Sequence, residues 1–344
     1  MIRPRRLSRA TVAAAALVAA ACGGGAGASA TTTHHPRPAP AAAGRPGVAF
    51  VRVTLATVWA RPGESRPVDA PSTTRPVDIP RWLSHMSVAQ RAWLVGRLQT
   101  QAAYGAQVAV LGHSGAWTKV AVRGQATPLN RYGYPGWVPT RQLTDNRSLI
   151  SVRRSHPVAV VTRKSAWLRA ADTFAPRLAV TYATRLPVMS QAGRYDLVAT
   201  PSGGKLAIAR RSVAEYPSAA AIPIPGGRRI VAEGKRFLGL PYLWAGTSAY
   251  GFDCSGFTYI LFRRFGIPLP RDADRQALHG RAVAKSRLRQ GDLVFFTGAG
   301  GGAIDHVAIY AGSGMALESP HTGDVVKLVP LASLDGYAGA RRYL

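Results

Sequence analysis

Cys254 is the residue of this chain whose surroundings most clearly suggest a reaction. It lies between Asp253 and Ser255 in the segment YGFDCSGF, directly before an apolar run at 257–265 that predicts a helix. The free N–H groups and the positive dipole end at a helix N-terminus both stabilise a thiolate, which is the reactive form of cysteine. The pattern therefore favours a nucleophile, with a packed and unreactive thiol as the alternative.

A cysteine nucleophile needs a base that protonates the departing amine and a third group that orients that base. His306 is expected at the start of one strand and Glu318 on the next, and adjacent antiparallel strands bring such side chains together. A carboxylate would then hold the imidazolium as the aspartate of a serine hydrolase does. Two alternatives stay open: Glu318 as a solvated strand-end carboxylate, and His321 as the third member of the site.

The elements that must position these residues belong to a C-terminal domain predicted over 228–344. A helix is predicted over 230–238, ahead of the helix that follows Cys254. The predicted strands come after both helices, at 292–296, 306–310 and 325–328. Helices followed by antiparallel strands are the order of an α+β fold.

Two smaller all-β domains are predicted before it, over 49–145 and 150–215. Short strands are predicted at 51–55, 108–111, 117–122, 137–138, 158–161, 166–169, 195–199 and 206–209. Within the first domain, Ser87 and Gln90 form a capping box. Apolar residues then recur at four-residue spacing, at Leu94, Leu98 and Ala102. This spacing predicts a helix over 87–102, inserted between the strands.

The N-terminus predicts export. Four arginines precede an apolar run at 10–21, which is the plan of a secretory signal peptide over residues 1–22 and is too short to span a membrane. Cys22 resembles the lipidated cysteine of a bacterial lipoprotein, with free secretion after ordinary cleavage as the alternative. Residues 23–48 have the composition of a flexible linker. Because Cys22 and Cys254 are the two cysteines of the chain, a disulfide framework is not expected.

The net charge bears on partners. Lys and Arg number 44 against 16 Asp and Glu, a formal charge of +28. Such a charge favours anionic cell-envelope polymers or a membrane surface as partners, although a coding bias towards arginine explains it equally well. Nucleic acid is not a predicted partner, because zinc-finger spacing, an aromatic RNA-binding signature and a basic recognition helix are all missing from the sequence.

Five sequence blocks in the last third occur in the order of a known family. They are PYLWAGTSAYGFDCSGF, PRDADRQ, GDLVFF, DHVAIYAG and ESPHTGDVV, and together they resemble the NlpC/p60 family of cell-wall cysteine peptidases. The resemblance implies a papain-like catalytic domain that needs no metal or cofactor. It also implies Cys254 as nucleophile and His306 as general base and acid, with Glu318 at the position where many members carry histidine.

Substrate contacts follow from the same resemblance. In the family, the tyrosine at the position of Tyr242 lies beside the nucleophile and helps to bind the oxyanion. Asp253 and Ser255 correspond to groups that meet the N-terminal amine of the substrate peptide. For Asp253, simple capping of the helix is the alternative.

The region before the catalytic domain carries a second resemblance. The string GAWTKVAV…NRYGYPGWVPTRQL resembles a bacterial SH3-like barrel. Two such barrels before this catalytic domain resemble the gamma-D-glutamyl-diamino-acid peptidases, in which the first barrel narrows the cleft and selects a free N-terminal L-alanine. Tyr134 and Trp137 are then candidate cleft walls, with aromatic residues that close a barrel core as the alternative. Ala106 departs from that pattern, because an acidic residue usually follows Tyr-Gly there, and the departure weakens the expectation of free-amine selection.

The expected protein is therefore an exported peptidase that hydrolyses the bond between gamma-D-glutamate and a diamino acid in peptidoglycan stem peptides. Its expected architecture is two small all-β SH3-like barrels followed by a papain-like α+β domain. Two other functions stay open: a non-catalytic wall-binding lipoprotein, and an amidase or acyltransferase on the same scaffold.

Overall fold

The computed structural model describes residues 45–298 and 301–344. The predicted signal peptide with Cys22, and most of the predicted linker, lie outside the described residues. Within the described ranges, no helix has the length and apolar character needed to cross a membrane.

Seven antiparallel strands form the first sheet. They are β1 (Gly47–Val51), β2 (Leu55–Trp59), β3 (Leu98–Ala103), β4 (Gln107–Ser114), β5 (Trp117–Val122), β6 (Tyr134–Pro139) and β7 (Leu143–Thr144). Their spatial order is β3-β2-β6-β5-β4-β1-β7. Three short helices lie between β2 and β3: α1 (Ala70–Thr73), α2 (Ile79–His85) and α3 (Val88–Ala92).

The helix predicted over 87–102 is right at its start and wrong at its end. Ser87 caps α3, since its Oγ accepts a 3.2 Å hydrogen bond from Gln90 N. Gly96, at a φ of 74°, lies beyond the helix end, and Leu98 starts strand β3. Residues four apart share a face of a strand as well as of a helix, so the apolar spacing did not distinguish the two.

The second sheet repeats the first. Its strands are β8 (Val158–Val161), β9 (Ser165–Ala170), β10 (Pro176–Thr181), β11 (Arg185–Ala192), β12 (Tyr195–Ala199), β13 (Lys205–Ala209) and β14 (Val213–Tyr216). Their order is β10-β9-β13-β12-β11-β8-β14, which is the order of the first sheet strand for strand. Helix α4 (Ser148–Ser155) joins the two sheets.

The C-terminal domain packs helices against a third sheet. Its helices are α5 (Gly227–Lys235), α6 (Cys254–Arg264) and α7 (Ala273–Gln276). Its strands are β15 (Thr247–Ser248), β16 (Gly251–Phe252), β17 (Arg281–Ala282), β18 (Leu293–Thr297), β19 (Ile304–Gly312), β20 (Met315–Glu318), β21 (Lys327–Pro330) and β22 (Tyr337–Arg342). The third sheet has the order β17-β22-β18-β19-β20-β21, and β15 and β16 form a separate hairpin.

Helix α6 forms the centre of this domain. Every residue of it except Arg263 is buried. Phe257 and Leu261 belong to one apolar cluster with Val307 and Ile309 of β19. Burial of this helix therefore fixes the position of its first residue, Cys254, against the strand that carries His306.

Candidate active site

Cys254 is the first residue of α6, and Asp253 is its N-cap. The Asp253 carboxylate accepts a 2.5 Å hydrogen bond from the backbone N–H of Gly256. A Cβ on Gly256 would lie 2.0 Å from the carbonyl oxygen of Gly246, so glycine lets the helix start approach that loop. Cys254 is a free thiol, 8% exposed, with its Sγ 3.8 Å from the carbonyl oxygen of Asp305.

His306 lies between Cys254 and Glu318. Its Nε2 is 2.8 Å from Glu318 Oε2, and Glu318 is only 2% exposed. Burial by itself would lower the pKa of His306, but hydrogen bonds with Cys254 and Glu318 and the charges of both raise it to about 10. Because Glu318 occupies Nε2, Nδ1 is the nitrogen left to face the thiol. The surroundings thus favour an imidazolium beside Cys254.

The strand register explains this contact. Strand β19 pairs with β20 so that Ile309 faces Leu317 and Tyr310 faces Ala316. Continued by one residue, this register sets Glu318 opposite Ala308, two positions from His306. The two side chains are therefore diagonal neighbours on the same face of the sheet, within reach of a long carboxylate.

His321, the rival third residue, is outside this arrangement. It follows β20, and its ring nitrogens lie near Thr322 O and, at 3.8 Å, Asp324. Its side chain is 74% exposed. The contact with His306 is made by Glu318 instead.

A cleft of about 350 Å³ opens at Cys254. Of the predicted contact residues, the ones that line it are Tyr242, Asp253, Ser255 and Tyr134. Burial, followed by the charges of Asp253 and Cys254, raises the pKa of Tyr242 far above its ordinary value. The Tyr242 hydroxyl therefore keeps its proton at neutral pH and can donate it in a hydrogen bond.

Tyr134 and Trp137 lie on β6 but face opposite ways, because residues an odd number apart point to different sides of a strand. Tyr134 donates a 3.2 Å hydrogen bond to Asp272 Oδ1 in the cleft. Trp137 is part of an apolar cluster with Trp59, Trp82 and their neighbours, and it does not line the cleft. Strand β6 therefore contributes Tyr134 to the cleft, but not Trp137.

Arg271 contacts the nucleophile segment, although the sequence motifs did not predict a role for it. It is 1% exposed and binds Asp253 through two N–H groups, at 2.6 and 3.1 Å. It also donates to Ser255 Oγ at 3.0 Å and to Thr100 Oγ1 of β3 at 3.0 Å. Burial opposes its charge, but Asp253 reverses this effect and raises the pKa of Arg271. The one available signal was its place in the PRDADRQ block.

Ala106 lies away from the cleft. It borders a different cavity with residues 101–105, and it packs partly against the core of the first sheet. The missing acid at this position therefore leaves the charge of the cleft unchanged. Cleft carboxylates come instead from Asp253, Asp272, Asp274 and Asp305. Among the described residues, no group of three or more His, Cys, Asp or Glu side chains could hold a metal ion.

The chain is similar to known proteins over most of its length. The NlpC/P60 family model matches residues 239–337, and the YKFC SH3b2 domain model matches residues 161–216. The chain is 42% identical over 303 residues to a gamma-D-glutamyl-L-lysine dipeptidyl-peptidase of Bacillus cereus, covering 86% of this chain and 91% of the relative. It is 34% identical over 284 residues to a Bacillus subtilis protein of the same name, covering 80% and 91%.

A solved structure shows the same architecture. The crystal structure of an NlpC/P60 family protein from Bacillus cereus superposes with a TM-score of 0.83 at 42% identity, covering 87% of this chain and all of that one. The predicted fold class, a papain-like α+β domain after two SH3-like all-β domains, is confirmed.

Proposed function

This chain belongs to the NlpC/P60 family, and on that premise we propose that it hydrolyses the bond between gamma-D-glutamate and a diamino acid in peptidoglycan stem peptides. One observation carries the proposal: a free thiol at the start of α6 meets a histidine that a buried glutamate holds at 2.8 Å. The names of the Bacillus relatives support the substrate class.

In the proposed reaction, the Cys254 thiolate attacks the carbonyl carbon of the scissile amide. The backbone N–H groups at the start of α6 and the Tyr242 hydroxyl are the donors available to the developing oxyanion. His306, as imidazolium, protonates the departing amine, and a thioester remains on Cys254. Water then attacks the thioester with His306 as base, which releases the acyl product and restores the thiol. Glu318 orients the ring and stabilises its charge.

The charges of the cleft support a substrate with a cationic end. Asp272, Asp274 and Asp305 line the cleft together with Cys254. Burial raises the pKa of Asp272, although the charge of Arg271 and the hydrogen bond from Tyr134 oppose this shift. An N-terminal ammonium fits such a site, so peptides with a free L-alanine amine are the proposed substrates. Asp253 supports this site chiefly through Arg271 and the helix cap.

The location of the protein is part of the proposal. The basic and apolar N-terminal segment supports export, and Cys22 supports lipid attachment at the membrane surface. The formal charge of +28 supports association with anionic polymers of the envelope.

Defined muropeptides test the reaction. We would incubate the full chain and its Cys254→Ala variant with L-Ala-γ-D-Glu-L-Lys, with the diaminopimelate analogue, and with N-acetylated forms of both, and then identify products by mass spectrometry. The wild type should release L-Ala-γ-D-Glu from the free-amine peptides, and the variant should release none. Equal product from the two proteins would refute the peptidase assignment. Equal cleavage of acetylated peptides would refute amine selection while leaving the peptidase assignment standing.

A further inference from the structure

A second cavity lies where the three domains meet. Its walls come from the end of β3 and the turn after it (101–106), from Arg153 of α4, from Thr184 and Arg185 at the start of β11, and from Arg263 of α6. It shares no lining residue with the cleft at Cys254. We propose that this junction cavity binds a small inorganic oxyanion of the phosphate or sulfate class, which ties the three domains together.

The charge of the cavity is one-sided. Four arginines line it: Arg123, Arg153, Arg185 and Arg263. Among the described residues, its lining includes no Asp or Glu, and none of the four arginines forms an ion pair. Like charges that line one cavity repel each other unless an anion lies between them. Burial, followed by the charge of Arg263, lowers the pKa of Arg185 to about 10, as expected for a cation that lacks a counter-ion.

Buried polar groups in the same cavity lack partners. Gln101 is fully buried, and its Nε2 has no hydrogen-bond partner within the described protein. The same holds for Thr184 Oγ1, in a residue that is 1% exposed, and for Arg185 Nε. All three can donate, and a buried donor without an acceptor costs about 1–3 kcal/mol. Each of these donors lacks an acceptor, and an oxyanion carries several acceptor oxygens.

Three of the four arginines are already oriented by hydrogen bonds between segments that line the cavity. Arg185 Nη2 donates to Arg263 O at 2.6 Å, and Arg263 Nη1 donates to Ala183 O at 3.1 Å. Arg153, exposed at the edge of the cavity, donates to Gly105 O at 3.1 Å. Each bond uses part of one guanidinium fork and leaves other N–H groups available. Planar forks of this kind match the paired oxygens of a tetrahedral oxyanion better than they match a halide.

The size of the cavity limits the ligand. Its volume is about 30 Å³. Because roughly 10–15 Å³ holds one water, the space suits a compact ion and excludes a nucleotide or a peptide. The expected consequence is greater stability of the assembled domains, since a ligand that binds only the folded state stabilises it.

Calorimetric titration of the full chain with sodium phosphate and with sodium sulfate, at constant ionic strength, tests the proposal. One anion should bind per chain, and phosphate at 100 times its Kd should raise the Tm by about 5 °C. Arg185→Gln should raise the Kd for the anion at least about tenfold. Arg211→Gln is the matched control, because Arg211 is exposed on the same domain, outside the cavity, and its loss changes the net charge equally.

Thr184→Val keeps the shape of the wall and removes one donor, so it tests the site if Arg185→Gln does not fold. It should raise the Kd about threefold, and the protein should stay folded without the anion. Three results would overturn the proposal: no saturable binding to the wild type, equal weakening in Arg211→Gln, or the same rise in Tm with sodium chloride. Cleavage of muropeptides is a separate readout, so failure here leaves the proposed peptidase function untouched.

Discussion

The first and second sheets share one strand order, yet they meet the C-terminal domain in different ways. The first sheet contacts the start of α6 and the cleft, where Tyr134 bonds to Asp272 and Thr100 bonds to Arg271. The second sheet contacts the core behind α6, where Tyr182 packs on Phe237 at a ring distance of 5.1 Å. The same fold therefore contacts the cleft in the first all-β domain and the hydrophobic core of the C-terminal domain in the second.

Buried polar contacts show the same contrast. In the first sheet, Gln101 accepts from the backbone N–H of Thr247 at 3.1 Å and from Ser248 Oγ at 3.3 Å, just before the nucleophile. In the second all-β domain, Tyr182, directly after β10, donates to Glu233 of α5 at 3.2 Å. The comparison teaches that strand order does not decide a domain's role; the side chains at each interface do. Substitutions in the catalytic site and at the two interfaces test this comparison.

The largest effect is expected from a substitution within the C-terminal domain, which contributes both His306 and Glu318 to the active site. Glu318→Gln should lower kcat by about 10²–10⁴, because the imidazolium loses its charged partner. The pKa of His306 should fall from about 10. The alkaline limb of the kcat/KM profile should then move to lower pH. His321→Gln, an exposed neighbour, is the control, and an equal loss in both variants would contradict the assignment.

The same shift predicts how stability depends on pH. Folding raises the pKa of His306 above its unfolded value of 6.5, so protonated His306 stabilises the fold fully below pH 6.5. This contribution is lost as the pH rises through about 10. Denaturant unfolding of wild type and Glu318→Gln across this range should show a smaller dependence in the variant.

The next largest effect is expected from an arginine substitution at each of the two interfaces. Arg271→Met leaves the buried Asp253 carboxylate without its partner and should lower the free energy of unfolding by about 3–5 kcal/mol. Arg236→Met removes a 2.6 Å pair with Glu233 whose arginine is 37% exposed, and it should cost about 1 kcal/mol or less. Urea unfolding measures both, and equal losses would erase the proposed difference between the interfaces.

A matched pair of tyrosines separates catalysis from stability. Tyr134 and Tyr182 each donate a 3.2 Å hydrogen bond to a carboxylate of the C-terminal domain. Tyr134→Phe should lower kcat/KM about tenfold with little change in stability. Tyr182→Phe should lower the free energy of unfolding by about 1–2 kcal/mol and leave kcat/KM unchanged. The reverse pattern would show that the second sheet, not the first, supports the cleft.

The smallest effect is expected at Trp137. Trp137→Phe should change kcat/KM by less than about twofold, because Trp137 does not line the cleft and the aromatic packing is largely kept. A loss as large as that of Tyr134→Phe would mean that both faces of this strand reach the substrate.

Local sequence patterns were enough to predict much of this. The cap, nucleophile and helix at 253–264 follow from residue types that are adjacent in the chain, and the short strands follow from alternation. The helix predicted through Ala102 failed because four-residue spacing is common to both kinds of element. Residues 98–103 form a strand because β3 pairs with β2. The two strands are too far apart in the chain for a local sequence pattern to show this pairing.

By itself, the sequence determined which residues could react and in what order the elements that hold them occur. Tertiary structure alone decided that Glu318 rather than His321 meets His306, that Tyr134 without Trp137 enters the cleft, and that Arg271 binds the cap of the nucleophile helix. The physical reason is that capping and alternation act between neighbours in the chain. Ion pairs such as Arg271 with Asp253, and contacts between a barrel and a catalytic domain, depend on burial and register set by the whole fold.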